Sequence, residues 1–283
     1  MKTIAAFIKD PDTSKRFIAY LVDLVKDLGT GLHMLSIENP ANYPMGAQEM
    51  TGVAVANLQT TLEARVKETK KQLERTVNEL VSRREDQVNI KVSTMVGNEI
   101  AMISQLLENN EAHMLAMEYR EMSGFWKKDT YVKEMMRNIQ CPIWVVPEDA
   151  EYRGLHHIIY ATDYHREDIP TLQRLIHLTR PFSPKIEALH ITDNVDFDEK
   201  VKKAGFQKML ETKTGYPDIS LTALLERNGY DMTGLINSYA SRVQADLIVV
   251  LKENKNFMER LFYPSSSEKM VEESDNPILV YHE

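Results

Sequence analysis

The sequence predicts an α/β protein of two tandem, doubly wound domains, each built on a five-stranded parallel sheet. Three observations carry this. The chain repeats one plan: the first half closes on Cys141-Pro-Ile-Trp-Val-Val-Pro147, and the chain closes on Asn276-Pro-Ile-Leu-Val-Tyr-His-Glu283. Short apolar runs alternate with helical patterns in both halves, which implies βαβ crossovers. The runs are continuous, as in Leu247-Ile-Val-Val-Leu251, and so fit strands covered on both faces. The expected domains are residues 1–149 and 153–283, with the polar Glu148–Arg153 carrying the chain between them.

The first half reads in order as follows. Thr3–Ile8 is a buried strand, and Asp10-Pro-Asp-Thr-Ser14 is a turn able to cap a helix. That helix is Lys15–Leu28, with Phe17, Leu21, Leu24, Val25 and Leu28 at helical spacing and Gly29-Thr-Gly31 as its stop. Leu32–Ile37 is a second strand. A loop with two prolines leads to a long helix, roughly Val53–Arg84. Its stripe of Leu58, Leu62, Val66, Leu73, Val77 and Leu80 suits a helix lying over a sheet, with a partner-binding face as the other reading. Ile90–Val96 is a strand, Glu99–Glu108 a helix and Ala112–Met117 a strand. Thr130–Ile139 is a helix and Pro142–Val146 the closing strand, where a leading proline costs no ladder bond.

The second half repeats the plan. Strands are expected at His157–Thr162, Lys185–Ile191, Ile219–Leu225, Asp246–Leu251 and Pro277–Tyr281. Helices are expected at Pro170–Thr179, Asp198–Thr212, Met232–Val243 and Ser266–Glu272.

Bulk composition sets limits. The formal net charge of −8 argues against nucleic acid as the main partner, because phosphate binding wants a clustered basic surface. Cys141 is the single cysteine, so no intramolecular disulfide forms; a reducing, cytoplasmic setting is expected. The opening residues read as a strand rather than a signal peptide, and no apolar stretch is long enough to span a bilayer. Nucleophile elbow, His-Glu-x-x-His and Walker patterns are missing, so a non-enzymatic protein is expected.

In this order, these segments resemble the universal stress protein family in its tandem form. The carrying residues are Ile158-Ile-Tyr-Ala-Thr-Asp163, Ala188-Leu-His-Ile191, Ala245-Asp-Leu-Ile-Val-Val250, Ser265 through Met270 and Pro277-Ile-Leu-Val280. The first half matches more loosely, at Thr3–Ile8, Val96-Gly97, Thr130–Met136 and Pro142–Val146. The resemblance implies an adenine nucleotide alpha hydrolase-like fold and domains that pair as dimers. A tandem chain would form that pair internally, through strands 142–146 and 277–281, leaving room for a homodimer or an unidentified protein partner.

Many family members bind ATP on a glycine-rich loop after the fourth strand, closed by Ser or Thr. Here Leu251, Asn254 and Pro264 stand where the glycines belong, and Ser265 fits the hydroxyl position. Pro264 removes an N–H donor, while Asn254 tolerates a left-handed turn. In the first half Glu118 and Asp129 take glycine positions and would repel phosphate. The expected function is a stress-response regulator or binding module with an eroded ATP loop and no cofactor, standard ATP being disfavoured. The alternative is a nucleotide-binding protein with a modified cradle, with weak ATPase or self-phosphorylation activity.

The candidate ligand residues are Asp163, Asn254, Ser265 and Ser266. Asp163 stands at the family's base-contacting position, and a turn or cap role is its bland reading. Ser265-Ser-Ser267 suits a helix cap as well as an anion. Asp163, His165, Glu167 and Asp168 are metal-capable types, yet a solvated turn explains them without a metal. His156 and His157 read as a linker pair, and Trp126 as packing over a pocket mouth.

Overall fold

The structure is a computed structural model. It describes residues 3–43, 52–82, 88–119, 130–193, 195–225, 232–252 and 276–282. The chain divides into two compact units, Met1–Cys141 and Pro142–Glu283. The fold is α/β with a mostly parallel sheet, as the alternating pattern requires.

In the first unit the strands are β1 (Thr3–Phe7), β2 (Gly31–Glu38), β3 (Ile90–Val96) and β4 (Met114–Tyr119). Their order is β3-β2-β1-β4, and all three pairings are parallel. The helices are α1 (Lys15–Leu28), α2 (Gly52–Val81), α3 (Glu99–Glu108) and α4 (Thr130–Asn138). Helix α1 buries Phe17, Ile18, Leu21, Val22, Leu24 and Val25, so most of its circumference is apolar core. It ends where Gly29 turns left-handed at φ +62°, with the Thr30 N–H returning to the Val25 carbonyl. Helix α2 buries Leu62, Thr69, Leu73, Thr76 and Val77 at helical spacing and packs on β2 and β3. Covering the sheet is therefore its structural role.

The second unit contains β5 (Ile143–Pro147), β6 (His157–Ala161), β7 (Lys185–Thr192), β8 (Ile219–Leu225), β9 (Leu247–Leu251) and β10 (Ile278–Tyr281). The order is β5-β10-β9-β6-β7-β8. All pairs are parallel except β10 with β5, which is antiparallel with Leu279 opposite Trp144. The closing strand of the first half thus belongs to the second compact unit. Its helices are α5 (Asp168–Thr179), α6 (Phe197–Met209) and α7 (Met232–Val243). A π turn, Leu210–Thr214, extends α6 to Gly215 at φ +60°. The core centres on Trp144, Tyr160 and Phe206, all fully buried. The helix expected at Ser266–Glu272 lies outside the described residues.

Registers in the two units correspond. Phe7 pairs with Leu35 as Ala161 pairs with Leu189, and Ile4 pairs with Met114 as Ile158 pairs with Leu247. Lys9 therefore stands where Asp163 stands, Ser36 where His190 stands, and Glu118 where Leu251 stands.

Candidate functional site

In open α/β sheets, ligands gather at the carboxyl ends of the strands beside the strand where the winding reverses. In the second unit that strand is β6, flanked by β7 and β9. Asp163 follows it and is 37% exposed at its side chain. The next residue, Tyr164, has a left-handed backbone at φ +58°. Its N–H donates to the Thr162 hydroxyl at 2.9 Å, which pins the turn.

Four side chains converge beside Asp163. The Tyr164 ring stacks on His190, with centroids 4.0 Å apart and planes 28° apart. Its other neighbour is Phe206 at 5.2 Å. His190 ends near the carboxyl edge of β7, and its Nδ1 lies 2.7 Å from the Thr162 carbonyl and 3.7 Å from Asp163 Oδ1. The carbonyl can only accept, so Nδ1 carries the proton. His190 Nε2 faces Glu199 Oε1 at 3.5 Å. Helix α6 supplies Glu199 and Phe206, seven residues apart and so on one face. Asp196 caps that helix by accepting the Glu199 N–H at 2.9 Å, which fixes the first turn over the strand ends.

The cluster is polar yet poorly satisfied. Among the described residues, the Tyr164 hydroxyl and Glu199 Oε1 are buried and meet no partner in hydrogen-bond geometry. Burial, then the nearby Glu199 charge, pushes the Tyr164 phenol well above its usual range. The two groups are close enough to interact electrostatically without reaching hydrogen-bond alignment.

Asp168 departs from the solvated turn expected of it. It is 2% exposed and accepts from the Tyr160 hydroxyl at 2.8 Å, the Thr162 hydroxyl at 2.6 Å and the His165 N–H at 2.8 Å. Burial raises its carboxyl, with those hydrogen bonds pulling the other way. It holds the turn that presents Asp163 and Tyr164. His157 is likewise more than a linker residue. Its Nε2 lies 3.2 Å from Glu187 Oε2 and its Nδ1 3.0 Å from the Val243 carbonyl. Among the described residues no group of His, Cys, Asp and Glu is arranged to hold a metal.

The corresponding edge of the first unit is built differently. Ser14, 2% exposed, donates to Glu118 Oε2 at 2.8 Å. Asn254, Ser265 and Ser266 lie outside the described residues, as do Trp126 and Asp129. Sequence reasoning brought Asp163 to this edge but missed Tyr164, His190, Glu199 and Phe206. One signal was available: a histidine near the carboxyl end of a strand, in Ala188-Leu-His-Ile191.

A model of the universal stress protein family matches residues 1–147. The structure is similar to a universal stress protein from Archaeoglobus fulgidus DSM 4304, with TM-score 0.65 and 14% identity, covering 99% of this chain and 98% of that one. It is also similar to a putative universal stress protein from Pseudomonas aeruginosa UCBPP-PA14, with TM-score 0.56 and 11% identity over 100% of this chain and 93% of that one. The cytoplasmic domain of a prokaryotic cation chloride cotransporter resembles it at TM-score 0.52 and 10% identity, over 99% and 94%. Identities this low speak to the fold alone. No curated protein matches the chain.

Proposed function

The chain belongs to the universal stress protein family, and from that premise we propose a non-enzymatic stress-response regulator or binding module that does not take ATP in the family's standard way. One observation carries the reading: the strand ends beside Asp163 are filled by the chain's own Tyr164 ring, stacked on His190. A base placed against Asp163 would compete with that ring. Glu118 at the matching edge of the first unit adds a carboxylate where a phosphate would have to approach. Departures from the glycine pattern at Leu251 and Asn254 agree with this. No helix among the described residues is long and apolar enough to cross a membrane, and a cytoplasmic location is part of the proposal.

A second reading is a nucleotide-binding protein with a modified cradle of Asp163, Asn254 and Ser265. The exposed Asp163 carboxylate at a strand end favours it. A thermal-shift titration with ATP, ADP, AMP and cyclic AMP, each with and without magnesium, separates the two. Ligand raises the melting temperature only if the folded state binds it. We expect a flat response at millimolar nucleotide. A rise that disappears in Asp163→Ala would establish the second reading instead.

A further inference from the structure

We propose that the outer face of α6 is a self-association surface, on which a second copy of this chain lays its own α6 antiparallel. The surface lies on the helix between β7 and β8 and does not involve the closing strands.

The large apolar side chains exposed among the described residues are concentrated at one corner. Val195, Phe197, Val201 and Leu225 gather there, and Val96 is the exception. Val195 and Phe197 lead into α6, and Leu225 ends β8 opposite Thr192, three residues before Val195. Phe197 is 78% exposed and Val201 53%. Helix α6 already has a core face, made by the buried Phe206 and the Leu210 that follows it. Phe197, Val201, Ala204 and Lys208 step by four, three and four residues along the opposite face, and all four are exposed. A second apolar stripe is unnecessary for packing this helix on its own sheet.

Gly205 flanks that stripe, inside the helix, where glycine costs stability relative to alanine. Its backbone is helical, so no left-handed turn requires it, and a Cβ placed there would meet nothing within 4 Å. The fold of one chain gives no reason for glycine at this position. Close approach of another backbone does.

Charge selects the occupant. Asp196 and Asp198 stand at the start of α6, while Lys202, Lys203 and Lys208 follow in its second half. Lys200 lies near the midpoint, and Glu211 beyond the helix is held by Gln207 at 2.9 Å. An antiparallel copy turns the basic half of one helix toward the acidic start of the other, and opposes the two helix dipoles. Centred on residue 203, this pairing sets Val201 against Gly205 and Asp198 level with Lys208. The Lys208 stem can then cover Phe197 while its ammonium reaches Asp198. An anionic lipid surface fits worse, because Phe197 stands between Asp196 and Asp198.

The test is sedimentation velocity on the full chain over a concentration series. A pair of 13-residue helices buries less than the roughly 1,200 Å² of stable interfaces, so a weak dimer is expected, with a dissociation constant of roughly 10–500 μM. Val201→Lys and Gly205→Gln should each weaken it at least tenfold. Neither should lower the melting temperature, since both sites face open solvent in the single chain. Asp198→Lys and Lys208→Asp should each weaken it too, and the two together should restore it to near the wild-type value. Rescue by that exchange requires the two residues to meet across copies. A chain that stays monomeric at millimolar concentration overturns the proposal. So does a dimer indifferent to Val201→Lys and Gly205→Gln, or a double charge exchange that is no better than the single changes. Binding of a monomeric chain to phosphatidylserine vesicles, lost in Phe197→Ser, would assign the face to a lipid surface instead.

Discussion

The two units solve one structural problem with opposite chemistry. His33 on β2 and Glu187 on β7 occupy matching register positions, since His33 pairs with Lys91 as Glu187 pairs with Ser220. Each reaches the hydroxyl two residues further along the outer strand. His33 Nε2 lies 2.8 Å from Ser93 Oγ, and Glu187 Oε1 accepts from Thr222 Oγ1. There the likeness ends. Burial, then Lys91, lowers the His33 imidazole, so the first unit keeps a neutral pair. In the second unit Glu187 also accepts from the Tyr239 hydroxyl at 2.6 Å and faces His157 Nε2 at 3.2 Å. Burial alone would raise the Glu187 carboxyl, yet hydrogen bonds from Thr222 and Tyr239 with the Lys185 charge hold it below its usual range. The two His157 contacts are both hydrogen bonds only when both ring nitrogens carry protons. One scaffold position thus carries a local neutral contact in one half and a charged clamp joining β6, β7, β8 and α7 in the other.

The largest expected effect comes from breaking that clamp. Glu187→Ala leaves Tyr239, Thr222 and His157 facing an empty acceptor site, and should cost about 3–5 kcal/mol in urea unfolding. His33→Ala removes one neutral hydrogen bond and some packing, and should cost about 1–2 kcal/mol. Equal losses would erase the contrast. The same clamp fixes a pH sign. A carboxyl lowered on folding adds stability above its unfolded pKa, near the ordinary 4.5, and that stability is lost as pH falls through the lower folded value. Glu187→Gln should therefore flatten the acid limb of the stability curve below about pH 4.5. An unchanged acid limb would mean that Glu187 is not what acid unfolds.

Local periodicity made much of the fold legible. Lys15–Leu28, Ile90–Val96, Glu99–Glu108, Ile219–Leu225 and Met232–Val243 have the same bounds in sequence and structure. In each, apolar spacing and flanking turn residues agree. Three features were out of reach for physical reasons. The grouping of β5 with the second unit depends on a pairing with β10 distant in sequence, and β5 has no local feature that names its neighbour. The π turn at Leu210–Thr214 follows a helical pattern that continues without a break. Asp168 reads as part of a solvated turn and His157 as a linker residue, and only tertiary contacts show them paired with Tyr160 and Glu187. The same holds for the candidate site: Asp163 was singled out through the family resemblance of the strand it follows, while Glu199 and Phe206 arrive from a helix whose docking the sequence does not state.

An intermediate effect should come from the start of the first helix in each unit. In α1 a neutral Ser14 hydroxyl donates outward to Glu118; in α5 the buried Asp168 carboxylate gathers three donors. Asp168→Asn turns one carboxylate oxygen into an amide donor, which no longer accepts from the hydroxyls and N–H it faces. It should cost about 1–3 kcal/mol, read as a lower urea midpoint. Ser14→Ala removes one hydrogen bond and should cost about 1 kcal/mol. If the serine change proves the more damaging, the second unit's turn is not held by Asp168.

The smallest effect sharpens the contrast from the other side. Lys91, on the outer strand of the first unit, lies 3.0 Å from Glu111, with the side chains 59% and 43% exposed. The hydrogen bond from Lys91, then its charge, lowers the Glu111 carboxyl, the same direction of shift as at Glu187. Direction alone would predict a similar stake in stability. Solvent decides otherwise: water and salt screen an exposed pair, and ordering two long side chains offsets what attraction remains. Lys91→Ala should raise the Glu111 titration midpoint, followed by carboxyl NMR, without moving the urea midpoint beyond error. Glu187→Ala should move the urea midpoint strongly in the same buffer. A clear loss of stability from Lys91→Ala would mean that the first unit also relies on a charged pair, placed on its outer strand rather than under its helix.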